Sequence, residues 1–251
     1  MFRTLIGLIA VLAGDTSAVG IPRVSAVGYP PGERLLVHGA IDDDLASELI
    51  PRLSRARYLH IFSEGGEVAA AVRIAREVRR HRVTVVVDGR CASACAQVIA
   101  VSGSELRVGP RGRLLFHNSP WVWRRGLENN PHITTPALVA STKLDMEVSS
   151  ELYQIIGFDT RLFACTDEAL EIDYSFATTN PGIAGRPGRA YMRSRFLAEP
   201  SLELLSRAGV KVVRWEGVVK DAPTRAPLPD PPIAKLDVKD CPAVGSPVNR
   251  D

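Results

Sequence analysis

The 251-residue chain is 45% hydrophobic and 24% charged, an ordinary globular mixture that excludes wholesale disorder, collagen and coiled coil. Lys and Arg number 31 against 28 Asp and Glu, too small a surplus to make nucleic-acid binding the default. The length allows one large domain or two small ones, and four cysteines do not make a disulfide scaffold, although one or two bridges fit.

Residues 1–18 start with Arg3, run apolar from Leu5 to Ala13 and end in Thr16-Ser17-Ala18. This is the pattern of a secretory signal peptide. Cleavage near Ala18 and a periplasmic or secreted location are expected; a buried N-terminal helix is the bland alternative. The apolar run is too short for a hydrocarbon core that needs roughly 20 residues, and no later stretch is long enough to span one. Export makes oxidised thiols the expectation, and Cys91, Cys95, Cys165 and Cys241 allow three pairings. In regular helix, i and i+4 Cβ atoms lie about 5–6 Å apart, whereas a disulfide wants about 3.5–4.5 Å. A Cys91–Cys95 bridge therefore needs Cys91 ahead of the helix. The pairing stays open.

In chain order, Glu33–Gly39 reads as a strand and Asp42–Leu53 as an amphipathic helix with acidic residues at its N-terminus. Tyr58–Phe62 is a second strand, followed by the turn Ser63-Glu64-Gly65-Gly66 and a helix over Val68–Arg80. Val83–Val87 is β-branched, as in a strand buried on both faces. An apolar helix is expected over Cys95–Val101, then short strands at Glu105–Val108 and Leu114–His117. Trp121, Trp123, Arg124 and Arg125 read either as lining of a groove or interface or as a surface turn. Thr134–Ile156 is a further helix opened by Thr134, Thr135 and Pro136, and Thr178–Gly188 is a loop by composition. Phe196–Ala208 reads as a turn and a helix, Val210–Trp215 as a strand. Residues 217–251, with seven Pro, read as an extended or disordered tail. Alternating strands and helices argue for an α/β fold with largely parallel strands.

Three segments carry chemistry. Gly65-Gly66 sits between a strand and a helix, where N–H groups can approach a developing anion, although the pair also suits a plain turn. Gly89-Arg90-Cys91-Ala92-Ser93-Ala94-Cys95-Ala96 surrounds one hydroxyl with small residues; Ser93 is a nucleophile or merely a helix cap. His117 ends an apolar strand 24 residues after Ser93 and is a general base or a structural histidine. Together they fit acyl transfer with an oxyanion site.

These segments occur in the order and spacing of the Clp protease proteolytic subunit family, and the chain resembles that family's exported relatives, with Cys-Ala-Ser-Ala-Cys around the serine. The resemblance covers about residues 33–120, with a weaker echo at Arg193–Gly209. It implies a ClpP/crotonase-like α/β spiral of repeated ββα units over 19–216, preceded by the signal peptide 1–18 and followed by the tail 217–251. It implies an exported serine peptidase with Ser93 as nucleophile, His117 as general base, and the Gly66 and Ala94 N–H groups as oxyanion hole.

Two positions depart from the family pattern. Glu64 stands where the family has Pro, which sets a carboxylate beside the anion site unless it points away. The third triad member is open: Asp167 has the right spacing in a helical context, Asp173 is another candidate, and Ser194 aligns with the family's Asp. No Lys suits a Ser–Lys pair. The resemblance further implies a peptide or protein substrate, a homo-oligomer, no cofactor and no ATP-driven unfoldase partner. Competing readings are a non-catalytic binding or assembly module of the same fold, a crotonase-type acyl-CoA enzyme, and a metal site from Cys91, Cys95 and His117, which lacks a fourth ligand.

Overall fold

The computed structural model describes residues 23–26, 33–129, 136–169, 173–178, 190–193, 197–217 and 232–246. The signal-peptide segment, Ser194, Thr134, Thr135 and nearly all of the Thr178–Gly188 loop lie outside the described residues.

The strands are β1 (Val24–Ala26), β2 (Arg34–His38), β3 (Tyr58–Phe62), β4 (Thr84–Val87), β5 (Arg90–Ala92), β6 (Glu105–Val108), β7 (Arg113–Leu115), β8 (Asp173–Thr178), β9 (Ala190–Arg193), β10 (Leu197–Pro200), β11 (Val212–Arg214) and β12 (Ile233–Leu236). The helices are α1 (Asp43–Leu53), α2 (Val68–Arg80), α3 (Pro120–Asn129), α4 (Pro136–Ile156), α5 (Arg161–Ala169) and α6 (Leu202–Arg207). Strands and helices alternate through the first half, giving a mixed α/β fold.

The main sheet runs β1-β2-β3-β4-β6-β11. Only β1 is antiparallel to its neighbour; β2, β3, β4, β6 and β11 pair in parallel. Val85, Val87, Leu59, Ile61 and Leu106 are wholly buried in it, as a parallel sheet covered by helices requires. Helix α1 starts where Asp42 accepts a hydrogen bond from the Leu45 N–H at 2.9 Å and buries Leu45, Ala46, Leu49 and Leu53. Helix α2 buries Ala70, Ala71, Ile74, Ala75 and Val78 and leaves its arginines outward.

A second set of short strands extends the first. Ser63, just past β3, bridges in parallel to Cys91. β5 pairs in parallel with β7, Phe116 bridges antiparallel to Ala198 of β10, and β10 pairs in parallel with β12. Phe163 of α5 touches the rings of Phe116, Trp121, Tyr153 and Phe158, with centroids 5.1–6.0 Å apart. This aromatic cluster packs α3, α4 and α5 behind β7.

Two expectations change, and the open cysteine pairing closes. The regular helix over Cys95–Val101 is a π-helical turn, Cys95–Ile99, followed by a 3₁₀ turn, Ala100–Ser102. Cys91 lies on β5, ahead of that turn, and bridges to Cys95 with Cα atoms 5.3 Å apart. The tail over 217–251 is not extended throughout: residues 232–246 pack on the body through β12, the buried Leu236 and Val244, and the Cys165–Cys241 disulfide. A proline-rich composition masked the short strand Ile233–Leu236, whose partner strand is distant in sequence.

Candidate active site

The three sequence segments meet at the carboxyl ends of β3, β5 and β7. The parallel register Ala92↔Leu115, continued by the Ser93 N–H donating to the Leu115 carbonyl at 2.9 Å, carries Ser93 and His117 out of the same edge on neighbouring strands. Ser93 has φ 55, a left-handed conformation that costs a non-glycine residue energy and clusters at functional turns. A serine on such a strand-to-helix turn presents its hydroxyl outward.

Gly65 (φ +97) lies against this turn: a Cβ there would sit 2.5 Å from Ser93 Cβ and 2.8 Å from the Ala92 carbonyl. Gly66 (φ +152) is pinned to Ile41, whose carbonyl a Cβ would overlap. Ser63 holds the turn by accepting from the Gly65 N–H at 3.0 Å and donating to the Gly39 carbonyl at 2.6 Å. Neither the Gly66 nor the Ala94 N–H donates to another described residue. Gly65→Ala is therefore expected to cost about 2–4 kcal/mol, from the forced contact and the positive φ together; urea unfolding measures it.

Glu64 is paired with a neighbouring cation. Its carboxylate takes the Arg90 guanidinium at 2.6 Å, so the charge that departs from the family pattern is neutralised at the rim. Burial, then the positive charge of Arg90, pushes the His117 imidazole down to about 4. The ring is thus neutral across the physiological range. His60, buried 5.9 Å from the Trp215 ring, is likewise pushed down to about 4, first by burial.

Both histidines protonate more readily unfolded than folded. Their contribution to stability is complete above about 6.5 and is lost as pH falls toward 4. Arg90→Gln removes the cation beside His117 and frees the Glu64 carboxylate. Both changes favour imidazolium, so the His117 pKa is expected to rise from about 4 toward 6.5. Titration of its ring protons by NMR checks the direction.

Asp167 does not join this group. On α5 its Oδ2 accepts from Ser119 Oγ at 2.6 Å, and its Oδ1 is buried with no partner among the described residues. Ser119, in turn, accepts from the Val122 N–H at the start of α3. No hydrogen bond or ion pair among the described residues links Ser93, His117 and Asp167. Burial raises the Asp167 carboxyl to about 7, against the hydrogen bonds from Ser119 that lower it. Spacing along the chain does not fix the direction a helical side chain faces. Asp173 opens β8, and Ser194 lies outside the described residues.

Sequence reasoning missed Arg90, whose charge bears on both Glu64 and His117, and Asn118, whose φ of 48 turns the chain after the histidine. Asn tolerates that conformation, which is the one signal the sequence carried. Both thiols of the Cys-Ala-Ser-Ala-Cys motif are consumed by the disulfide that brackets Ser93. No group of three or more His, Cys, Asp or Glu among the described residues is arranged to hold a metal.

The site as built is a left-handed serine turn backed by a glycine pair and flanked by a neutral histidine, within a mixed α/β fold. No protein-family model matches the chain and no curated protein matches it. Among solved structures, ClpP1 from Listeria monocytogenes is similar at 20% identity and TM-score 0.32, over 48% of this chain and 79% of that one. An asparagine-to-aspartate mutant of the same protein is similar at 20% identity and TM-score 0.40, over 74% of this chain and 92% of the other.

Proposed function

We propose that the chain is an exported serine peptidase, or a related acyl hydrolase, acting on peptides or unfolded protein segments. One observation carries the reading: Ser93 occupies a positive-φ turn with the Gly65 backbone packed against it. Plain helix caps lie in extended backbone; a serine in a left-handed turn beside free N–H groups suits attack on a carbonyl.

In this reading Ser93 Oγ attacks the carbonyl carbon as His117 takes its proton. The Gly66 and Ala94 N–H groups receive the oxyanion, and His117 returns the proton to the departing amine. Water then cleaves the acyl-enzyme by the reverse sequence. No cofactor takes part. The described geometry is that of a free enzyme, in which catalytic hydrogen bonds are commonly long.

The motif order and the ββα succession from β3 through β7 support a Clp-protease-like spiral, and the apolar segment Leu5–Ala13 supports export. Helix α4 leaves Val139, Leu144 and Ile155 exposed, which supports the expected homo-oligomer. No helix among the described residues is long and apolar enough to cross a membrane. An ATP-driven unfoldase has no place in an exported protein.

Turnover of a fluorogenic peptide library by the oxidised chain tests the reading. Cleavage that is lost in His117→Ala supports it, and cleavage unchanged in that variant overturns it. A second reading, a catalytically degenerate binding module, draws on the Asp167–Ser119 pair, which leaves His117 without a carboxylate among the described residues. Loss of the orienting Asp costs about 10⁴-fold in a serine protease. Tight peptide binding with no turnover is the outcome that reading requires.

A further inference from the structure

A cavity of about 150 Å³ is bounded by α2, α3, α4 and Asn118, the residue after His117. Val68, Pro120, Trp123 and Leu138 supply its apolar wall, and Asn118, Ser141, Thr142 and Asp145 its polar one. Val68 opens α2 two residues after Gly66, so two of the lining residues, Val68 and Asn118, closely follow the glycine turn and His117 in the chain.

Asp145 makes no hydrogen bond or ion pair with any described residue and is neither fully buried nor exposed. The charged group that acts on it is Glu67, a second carboxylate. Burial, then Glu67, raises the Asp145 carboxyl to about 6, the mark of an acid with no cation beside it. A carboxylate in a mostly apolar pocket is costly until a cation or a donor meets it. A pocket with one apolar wall, a few neutral polar groups and a single carboxylate selects a side chain with an apolar stem and a cationic end.

We infer that this cavity receives a lysine or arginine side chain of the substrate, with Asp145 as the specificity-determining residue. The inference rests on the hydrolase reading for the scissile bond, but not for the binding. The stem packs between Val68, Trp123 and Leu138, and the cation meets the half-buried Asp145.

The test uses the full chain with its disulfides intact and p-aminobenzamidine, a cationic aromatic probe that fluoresces on entering an apolar pocket. The probe is expected to bind the unaltered chain and Ser93→Ala alike. Asp145→Asn is expected to weaken it about 10-fold, the scale of one partly buried ion pair, while Asp145→Glu retains most of the affinity. Equal binding to Asp145→Asn, equal binding of neutral aniline, or no binding would overturn the inference.

Peptides with Lys, Arg, Leu or Glu before the scissile bond give the second readout. The cationic-to-leucine turnover ratio is expected to exceed 1 and to collapse in Asp145→Asn. Labelling of Ser93 by a fluorophosphonate, with no preference for cationic side chains, sinks this inference and leaves the hydrolase reading. Amidine binding that depends on Asp145 without labelling does the reverse.

Discussion

Ser93→Ala is expected to lower hydrolysis by about 10⁶-fold, the loss seen when a serine hydrolase is stripped of its nucleophile, with no change in fold. Ser93 Oγ makes no hydrogen bond to another described residue, so its removal leaves nothing buried and unpaired. Thermal stability is expected to stay within about 0.5 kcal/mol. Ser93→Gly separates the two roles of the position. Glycine tolerates φ 55 without the roughly 1–2 kcal/mol that a side chain costs there. That variant is expected to be as inactive as Ser93→Ala and more stable by about 1 kcal/mol. A residue that is dead when replaced and stabilised by glycine is one kept strained for chemistry. Differential scanning calorimetry beside a peptide assay reads both. Ser93→Gly that melts lower than the unaltered chain would contradict the strain.

The second large effect lies in the disulfide that anchors the C-terminal segment. Cys165 and Cys241 are 76 residues apart in sequence, and closing a loop of that length is worth about 4 kcal/mol on the chain-entropy account. The bridge ties α5 to the segment that carries β12. The same segment is fixed by the Gly245 N–H donating to Asp159 at 2.8 Å and by Arg161 donating to the Ser246 carbonyl at 2.8 Å. β12 supports β10, and β10 bridges Phe116, the residue before His117.

Replacing both cysteines by alanine is therefore expected to lower Tm by roughly 8–16 °C, at about 2–4 °C per kcal/mol for a chain of this size. The Cys91–Cys95 bridge closes a loop of four residues and constrains the unfolded chain far less. Its removal is expected to act on Ser93 reactivity more than on Tm. Thermal melts of the two double variants, side by side, give the comparison.

Much of the scaffold was legible in the sequence because its elements repeat a period long enough to read. Val68–Arg80 places Val72, Ala75 and Val78 on one helical face, and that face is buried. The β-branched run Val83–Val87 is a central strand. What escaped was short or depended on distant partners. β5 is three residues, Arg90-Cys91-Ala92, with no alternation to read; it exists because β7 pairs with it and Ser63 bridges to it. β12 forms against β10 from within a stretch that composition assigns to an extended or disordered tail. The π-helical turn after Ser93 also escaped, because an apolar run carries no signal for the extra residue in its first turn.

The site divides the same way. Ser93, His117 and the glycine pair were readable as motifs, since small residues and a strand end announce them. The positive φ of Ser93, the Glu64–Arg90 pair and the orientation of Asp167 depend on contacts across 26 to 48 residues of sequence. No local pattern encodes those.

The most direct test of an activated serine is covalent labelling by a fluorophosphonate probe of the oxidised chain beside Ser93→Ala and His117→Ala. Adduct formation mapped to Ser93, absent from Ser93→Ala and strongly slowed in His117→Ala, is the expected result. A folded chain that takes up no probe, or that labels equally well without His117, would contradict the account.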